Sequence, residues 1–424
     1  PQRPNCYLDI PCKPKNKENM LSHDCQIRVW YKHTDQMAIC HHSNYICYYE
    51  AARSEFLRAL GMSFAGKRAL VCMKHVGMNV AADAFVNSAM TGANGGLMVV
   101  AADDPSMHSS QNEQDSRFYG KFALVPVFEP SCQQETYEMT GYGFDLSERF
   151  RIPVLMRLTT RMAHSRAVVE TRDAKAQNEK SYPAEARQWV LMPGNSRARY
   201  KVLIEDYRKL EEEAASSRFN RLSDGPDKSM GIIACGIAYN YLMENFPDGC
   251  PYPVLKISQY PLPTALVKRL AAECESLLVI EEGQPMVEEM IRGILGTPIP
   301  IKGRLSGELP RTGELNPDCV REALGLEAHA RHDASELVVP RPPALCMGCG
   351  HRDMYKALTE VVREYPDSKV FSDIGCYTLG WLAPFHAIDT CVDMGASITM
   401  AKGAADAGQH PAAVSYTHLR AHET

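Results

Sequence analysis

The chain has 424 residues, of which 45% are hydrophobic and 23% are charged, and its formal net charge is −5. This length and composition indicate a globular protein of about two to four domains. The small acidic excess gives no reason to expect a nucleic acid or an anionic membrane as a partner. No apolar run approaches the roughly 20 residues that a membrane-spanning helix requires.

Cysteine is abundant, with 15 residues, five of which lie without regular spacing in the first 50 positions. Because the chain is long and the other cysteines are scattered, we expect free or metal-bound thiols in a reducing compartment. The polar start lacks the apolar core of a signal peptide, and it does not begin with methionine. We therefore predict a cytoplasmic protein and a fragment of a longer sequence.

Residues 1–56 show neither strand alternation nor helical periodicity, and regular patterning begins at residue 57. The expected elements of residues 57–180 are strands at 68–73, 97–102 and 152–157 and helices at 80–90 and 133–149. Buried strands that alternate with helices imply a parallel sheet, with ligands at the carboxyl ends of the strands. Polar side chains stand at those ends, among them Lys74, His75 and Arg117.

A second α/β pattern follows a linker. Residues 181–229 combine a charged amphipathic helix over 202–219 with a turn-rich stretch, which marks a domain boundary. Residues 230–335 contain buried strands at 231–236, 254–257 and 277–282, each followed by a helix. Glu281 and Glu282 are adjacent in the last strand and point to opposite faces, so we assign them a structural role rather than paired acid–base catalysis.

Residues 336–414 carry three motifs in a short space. Cys346 and Cys349 form a Cys-x-x-Cys knuckle that opens a helix. A short strand then runs into Asp373, and a loop at 389–395 leads into a helix of small residues. Small residues at the start of a helix allow a phosphate to approach the backbone N–H groups, but this feature alone fits many nucleotide and cofactor sites.

The three motifs together are more specific. CMGCGHR, DIGCYTLG and DTCVDMGASITMAKG, in this order, resemble the thiamine diphosphate domain of indolepyruvate:ferredoxin oxidoreductase alpha subunits, within the 2-oxoacid:ferredoxin oxidoreductases. The segments MKHVGMNVAAD and ADDPSMHSSQNEQDSR resemble the pyrimidine-binding domain of the same family, and VIEEGQPMVEEMIRG resembles its transketolase C-terminal-like domain. The resemblance covers residues 57–414 and implies several parallel-sheet α/β domains, of which the thiamine diphosphate domain at 336–414 is truncated.

The resemblance also implies roles for individual residues. Arg117 would clamp the carboxylate of a 2-oxoacid, because a guanidinium can fork onto two oxygens. Lys74 and His75 would face the reacting carbonyl or the diphosphate, although His75 is equally compatible with a satisfied histidine at a strand end. The residues expected to line the cofactor pocket are Asp373, Gly375, Cys376, Tyr377, Thr378, Met394, Gly395, Ala396 and Ser397. Met394 would support the bent cofactor or would belong to the core.

The cysteines of the last domain allow more than one interpretation. In relatives with a cluster near the thiamine site, the positions of Cys346, Cys349 and Cys376 ligate iron. A 4Fe-4S cluster takes four thiolates, and the fourth would lie beyond this chain. A zinc knuckle, redox-active thiols and helix-capping cysteines remain alternatives. The family's other clusters belong to a C-terminal ferredoxin-like domain that this sequence does not include.

Both ends depart from the family pattern. The expected Gly-Tyr-Pro-Gly turn and the Glu of an Asn-Glu-Lys motif are missing before residue 57, and residues 415–424 replace the Gly-Asp-Ser magnesium motif. That Glu activates the aminopyrimidine ring, so its absence implies weak binding and almost no catalysis. We interpret 1–56 as a foreign join, with a divergent N-terminus as the alternative, and 415–424 as an artefactual tail.

The resemblance implies oxidative decarboxylation of an arylpyruvate such as indolepyruvate to an acyl-CoA, with thiamine diphosphate, Mg²⁺ and 4Fe-4S clusters as cofactors. The implied partners are a beta subunit, ferredoxin, coenzyme A and the 2-oxoacid itself. Two alternatives remain. One is a different 2-oxoacid specificity in the same class, and the other is an inert fragment.

Overall fold

The computed structural model describes residues 56–174, 178, 180–183, 187–295, 298–329, 335, 337–339, 344–366, 368–373, 375–391, 396–408 and 410–414. The segments 1–55 and 415–424, interpreted above as foreign to the family, lie outside the described residues. The described chain divides into two compact units, which we call the N-terminal unit, up to residue 331, and the C-terminal unit, from residue 332.

The first sheet of the N-terminal unit has the strand order β1-β2-β4-β3-β8. Its first four strands are parallel, and β8 is antiparallel to β3. The strands are β1 (Ala69–Lys74), β2 (Leu97–Asp103), β3 (Val127–Phe128), β4 (Val154–Thr159) and β8 (Gln259–Tyr260). The central strands β2 and β4 are buried along almost their whole length, as expected for a parallel sheet with both faces covered.

Six helices belong to the same part of the chain: α1 (His75–Val80), α2 (Ala82–Thr91), α3 (Arg117–Ala123), α4 (Gln133–Phe150), α5 (Thr160–His164) and α6 (Pro193–Ser216). Pro193 stands in the first turn of α6, where the missing N–H would have had no helical partner. Gly120 of α3 allows a close approach to β3, because a Cβ there would lie 1.9 Å from Cγ2 of Val127.

The second sheet has the order β10-β9-β6-β7-β5. Its strands are β5 (Arg221–Ser223), β6 (Gly231–Cys235), β7 (Val254–Ile257), β9 (Leu277–Ile280) and β10 (Ile301–Lys302), all parallel except β5. Its helices are α7 (Ala238–Met243), α8 (Thr264–Glu273), α9 (Met286–Ile294) and α10 (Pro317–Ala323). Leu155 of the first sheet and Ile233 of the second belong to one hydrophobic cluster, so the two sheets share a core.

The C-terminal unit contains a parallel three-stranded sheet of order β12-β11-β13. The strands are β11 (Lys369–Ser372), β12 (Thr390–Cys391) and β13 (Pro411–Val414), and the helices are α11 (Gly350–Val362), a 3₁₀ helix (Cys376–Trp381) and α12 (Ala396–Asp406). Tyr355 of α11 is completely buried in a small core with Val370 and Tyr377. Its hydroxyl donates to the Tyr377 carbonyl oxygen over 2.7 Å.

The predicted α/β class with parallel sheets is confirmed. Some bounds differ from the expectation. Residues 75–80 already form helix α1, the strand expected at 277–282 ends at Ile280, and α6 begins at Pro193, nine residues before its predicted start. Among the described residues, no helix is long and apolar enough to cross a membrane.

Candidate functional site

The carboxyl ends of β1 and β2 hold a polar cluster built around Asp104. Its carboxylate accepts hydrogen bonds from the Ser109 N–H at 2.9 Å, the Ser110 hydroxyl at 2.6 Å and the Thr160 hydroxyl at 2.7 Å. Burial tends to raise the pKa of Asp104, but these bonds and the charge of Lys74 hold it well below its usual range. Asp104 is therefore a carboxylate that fixes the 108–110 loop.

Lys74 is the accessible cation of this cluster. Its Nζ donates to the carbonyl oxygen of Ser109 at 3.0 Å and lies 3.8 Å from Oδ2 of Asp104, while 36% of its side chain remains exposed. The sequence predicted Lys74 at a strand end, and the structure places it there. An ammonium that is held at one side and open at the other can bind an anion.

His75 begins helix α1 and is completely buried. Its Nδ1 lies 3.3 Å from the Ala102 carbonyl oxygen, which makes Nδ1 the protonated nitrogen. Nε2 has no hydrogen-bond partner in the described part of the chain. Burial lowers the pKa of His75, so the ring is neutral near pH 7. Among the described residues, one ring nitrogen is hydrogen-bonded and the other is not, so His75 is neither a fully bonded structural histidine nor a residue with both nitrogens open to a ligand.

Arg117 does not stand where a substrate clamp was expected. The side chain is completely buried, with Nε donating to Asp115 Oδ1 at 2.9 Å and Nη1 to Glu281 Oε2 at 2.8 Å. Nη2 donates to Asp115 and to the carbonyl oxygens of Glu282 and Gln284. Because all its nitrogens are engaged by the chain itself, Arg117 joins the first sheet region to the second sheet and has no free fork for a carboxylate.

A second buried arginine lies beside it, and the sequence analysis missed it. Arg157 of β4 donates from Nε to Asp103 Oδ2 at 2.6 Å and from Nη1 to Glu129. Glu129 also accepts from the Tyr260 hydroxyl at 2.8 Å. The available signal was Arg157 inside an otherwise apolar strand, because a charged residue in a buried strand requires partners.

Glu281 and Glu282 follow β9 rather than lying within it as predicted, and they bond in different directions. Glu281 accepts from Arg117 and from the first N–H groups of α9, Val287 at 3.0 Å and Glu288 at 2.9 Å. Glu282 accepts from the Leu315 N–H at 3.2 Å and lies 3.6 Å from Arg304.

These eight buried ionic side chains meet where the carboxyl ends of both sheets converge. We call them the junction cluster: Asp103, Asp115, Glu129, Glu281, Glu282, Arg117, Arg157 and Arg304. The cluster occupies the edge at which open α/β sheets usually bind ligands.

The C-terminal unit brings several of the predicted cofactor residues together. Asp373, completely buried after β11, accepts from the Ser397 N–H at the start of α12 over 2.9 Å. The Ser397 hydroxyl is also buried and has no hydrogen-bond partner among the described residues. Asp373 and Ser397 therefore place a carboxylate, a helix N-terminus and an unused hydroxyl at one strand end.

The rest of this strand end involves a cysteine that was not singled out. Thr378 Oγ1 lies 3.2 Å from Cys391 Sγ, and that thiol donates to the Asp373 carbonyl oxygen at 3.2 Å. The Gly375 N–H donates to Thr378 Oγ1 over 3.4 Å. No signal in the sequence pointed to Cys391, because residues 389–395 were expected to form a loop, whereas Thr390 and Cys391 form a strand parallel to β11.

The positions of the other predicted pocket residues say less about how a cofactor would be held. Tyr377 is buried and packs edge-on against the ring of His351, with ring centroids 4.9 Å apart. Ala396 is the first residue of α12. Met394 and Gly395 lie outside the described residues.

The donor set for a thiamine diphosphate site fits in part. Asp373 offers the oxygen that Mg²⁺ prefers, and the unpaired Ser397 hydroxyl at the N-terminus of a helix suits a phosphate oxygen. A diphosphate bound at Ser397 would be repelled by the Asp373 carboxylate unless a cation lay between the two anions. The pair therefore suits a magnesium–diphosphate unit rather than a free anion.

The predicted iron–sulfur ligands lie in different settings. Cys346 is exposed, whereas Cys349 is half-buried with Sγ 3.3 Å from His351 Nδ1. Cys346, Cys349 and Cys376 are all described, yet no three His, Cys, Asp or Glu side chains in the described ranges converge as metal ligands. Ligation of a cluster by these three thiols therefore stays a prediction.

Comparison with known proteins gives a consistent relationship. No protein-family model matches the chain. The indolepyruvate oxidoreductase subunit IorA of Methanothermobacter marburgensis is 40% identical over 360 residues, which cover 81% of this chain and 58% of that protein. The IorA subunit of Archaeoglobus fulgidus is 39% identical over 377 residues, covering 85% of this chain and 60% of that protein.

Among solved structures, the 2-oxoglutarate:ferredoxin oxidoreductase from Magnetococcus marinus has a TM-score of 0.49 and 14% identity over 65% of this chain and 55% of that chain. The chain thus spans about three fifths of the length of the curated relatives that it matches. On its identity to these relatives over more than four fifths of its own length, the chain belongs to the family of indolepyruvate oxidoreductase IorA subunits.

Proposed function

We propose that the chain is part of the alpha subunit of an indolepyruvate:ferredoxin oxidoreductase, which converts an arylpyruvate and coenzyme A to an acyl-CoA and reduces ferredoxin. The observation that carries this proposal is the identity of 39–40% to IorA subunits over 81–85% of the chain. The proposal includes a beta subunit as partner and residues 57–180, 230–335 and 336–414 as the pyrimidine-binding-like, transketolase C-terminal-like and thiamine diphosphate domains.

In this proposal, the C-terminal unit holds the diphosphate end of the cofactor. Asp373 would provide an oxygen ligand to Mg²⁺, and the Ser397 hydroxyl would donate to a phosphate oxygen. Bound thiamine diphosphate supplies the electron sink for decarboxylation of a 2-oxoacid. Asp373 already holds the backbone of Ser397 at the start of α12 through the bond to its N–H.

In the N-terminal unit, we assign anion binding to Lys74 rather than to Arg117. Lys74 is fixed by Ser109 and Asp104 and is partly open to solvent. The neutral His75 beside it keeps a free ring nitrogen in a buried setting, which suits a hydrogen bond to a carbonyl oxygen or to a water held there.

The cofactor assignment can be tested by titration calorimetry of the 424-residue chain with thiamine diphosphate in the presence and absence of Mg²⁺. We expect weak, Mg²⁺-dependent heat, and we expect Ser397→Ala to lower the affinity by about 10- to 100-fold, because a hydrogen bond to a charged group contributes roughly 1.5–3 kcal/mol. Thr399→Ala is the matched control, since Thr399 is exposed on the same helix and bonds only to the Ala396 carbonyl oxygen among the described residues.

Equal affinity of Ser397→Ala and the parent chain would remove Ser397 from the site. A complete lack of Mg²⁺-dependent heat would instead favour the alternative of an inert chain. A different 2-oxoacid specificity is separated from these outcomes by a panel of arylpyruvates, pyruvate and 2-oxoglutarate, tested with the chain assembled with a beta subunit.

A further inference from the structure

The junction cluster contains more acids than bases. Its five carboxyls face three guanidiniums, and none of the eight side chains is more than 6% exposed. If every group were ionised, two negative charges would remain without a formal counter-charge in a site that is almost closed to solvent. Such charges are costly to bury, and a carboxyl in this situation takes up a proton instead.

Two carboxyls of the cluster have one oxygen that no described group bonds. Asp103 Oδ2 accepts from Arg157 at 2.6 Å and from the Ser116 N–H at 2.9 Å, whereas Oδ1 has no partner in the described ranges. Glu282 Oε1 accepts from the Leu315 N–H, whereas Oε2 likewise has no partner among described groups. Burying an oxygen without a hydrogen-bond partner costs less free energy when it belongs to a neutral carboxylic acid than when it belongs to a carboxylate anion.

The other three carboxyls use both oxygens. Asp115 accepts from Arg117 on Oδ1 and from the Gln284 N–H on Oδ2. Glu129 accepts from Arg157 on Oε1 and from Tyr260 on Oε2. Glu281 accepts on both oxygens from the start of α9. The number of carboxyls with a bare oxygen therefore equals the excess of carboxyls over guanidiniums.

We propose that Asp103 and Glu282 carry protons on these bare oxygens in the mildly acidic protein, near pH 5, and that release of the two protons as the pH rises weakens the junction between the two sheets. The junction is then a pH-sensitive element of the N-terminal unit, independent of the cofactor site. It lies at the ends of β2 and β9, one from each sheet.

The surroundings agree with this assignment. Burial raises the pKa of Asp103 to about 6 against the attraction of Arg157, and it raises the pKa of Glu282 to about 7 against that of Arg304. Burial also raises the pKa of Glu281, while Arg117 and Arg157 outweigh burial and lower the pKa of Asp115.

Further ionisable groups face the cluster from neighbouring elements. They are Tyr119 beside Asp103, Tyr241, Arg161 and Glu314 beside Glu282, Glu113 beside Arg304, and Cys235 and Tyr260 beside Arg117. Burial raises the pKa of the three tyrosines and of the cysteine, so these four remain neutral near pH 7. The pKa of His75 is lowered, so His75 makes the folded chain more stable as the pH rises, which is opposite to the effect of a carboxyl with a raised pKa.

The direction of the effect follows from the raised pKa values. A carboxyl that holds its proton more tightly in the folded chain stabilises it at low pH, and this stability is lost as the pH rises through the folded pKa. Between pH 5 and pH 8, the unfolding equilibrium constant is expected to rise on the order of 100-fold through Glu282 and on the order of tenfold through Asp103.

The test is urea unfolding of the full chain at pH 5 and pH 8, with the variants Asp103→Asn and Glu282→Gln alone and together. Each amide imitates the protonated side chain, so each variant should lose its own share of the pH dependence, and the double variant both shares. Glu148→Gln is the control outside the cluster: Glu148 pairs with Arg68 at 2.9 Å and its pKa is lowered, so this variant should destabilise at both pH values and keep the pH dependence of the parent.

Infrared spectra of the folded chain provide a second measurement that requires no unfolding. The carbonyl stretch of protonated carboxyls should be present at pH 6 in the parent chain, weaker in each single variant, and lost from the parent as the pH rises to 9. Parental pH dependence in the double variant, or no protonated-carboxyl band at pH 6, would overturn the proposal.

Discussion

Replacing Arg117 with alanine is expected to lower the free energy of unfolding of the N-terminal unit by about 3–5 kcal/mol. Arg117 is completely buried and bonds to Asp115 and Glu281. Its removal leaves both carboxyls buried without their cation, and this desolvated charge, rather than the lost contact alone, accounts for the size of the effect. Urea unfolding followed by far-UV circular dichroism measures it.

Arg269→Ala is the control for this variant. Arg269 is 66% exposed and pairs with Glu273 one helical turn away, so its loss is expected to cost less than about 1 kcal/mol. If Arg117→Ala were as stable as Arg269→Ala but bound a 2-oxoacid more weakly, Arg117 would be the substrate clamp after all, and the buried network would not describe the protein in solution.

The second large effect is expected for Gly283→Ala. Gly283 has a φ of +88°, and a Cβ there would lie 2.8 Å from Arg157 Nη2 and 2.9 Å from Asp115 Oδ2. The left-handed backbone costs a non-glycine residue roughly 1–2 kcal/mol, and overpacking adds roughly 1–3 kcal/mol. We therefore expect a total loss of about 2–5 kcal/mol in urea unfolding.

Gly313→Ala separates these two contributions. Gly313 has nearly the same φ, +89°, but a Cβ there would meet no described atom within 4 Å. Only the backbone cost of roughly 1–2 kcal/mol is expected. Equal losses in the two variants would mean that the methyl group at position 283 does not disturb the junction cluster.

The strands were largely predictable because a buried strand appears in the sequence as a short run of apolar residues. The run Val254–Ile257 was predicted with its observed bounds, and β2 differs by one residue at its end. Runs of apolar residues bounded by turns are typical of parallel strands that are covered on both faces. The early start of α6 was missed because residues 193–201 contain few apolar side chains, so the amphipathic pattern is weak there.

The junction cluster was not predictable in the same way. Arg117 and Glu281 are 164 residues apart in the chain, and nothing in the sequence near either residue specifies the other. A polar residue at a strand end was interpreted as a ligand contact, because most such residues are accessible. The burial of Arg117 changes that interpretation. Arg117 bonds to other residues of the chain, whereas the partly exposed Lys74 can bind an anion from solvent.

In the C-terminal unit, the motif spacing indicated the residues but not their contacts. Asp373 and Ser397 were both predicted to line one pocket, and the structure joins them by a hydrogen bond. The three cysteines were expected to share a metal, but a Cys-x-x-Cys spacing is also compatible with a simple turn. Here the Cys349 N–H donates to the Cys346 carbonyl oxygen at 3.2 Å, and the sequence alone does not separate that turn from a ligand loop.

Hydrogen exchange of the full chain, with and without thiamine diphosphate and Mg²⁺, shows whether Asp373 and Ser397 hold the cofactor. We expect slower exchange in peptides that contain the end of β11 and the start of α12, around these two residues. We expect no protection when Mg²⁺ is omitted. Protection confined to other parts of the chain, or none at saturating cofactor and metal, would contradict the assignment of these residues to the cofactor.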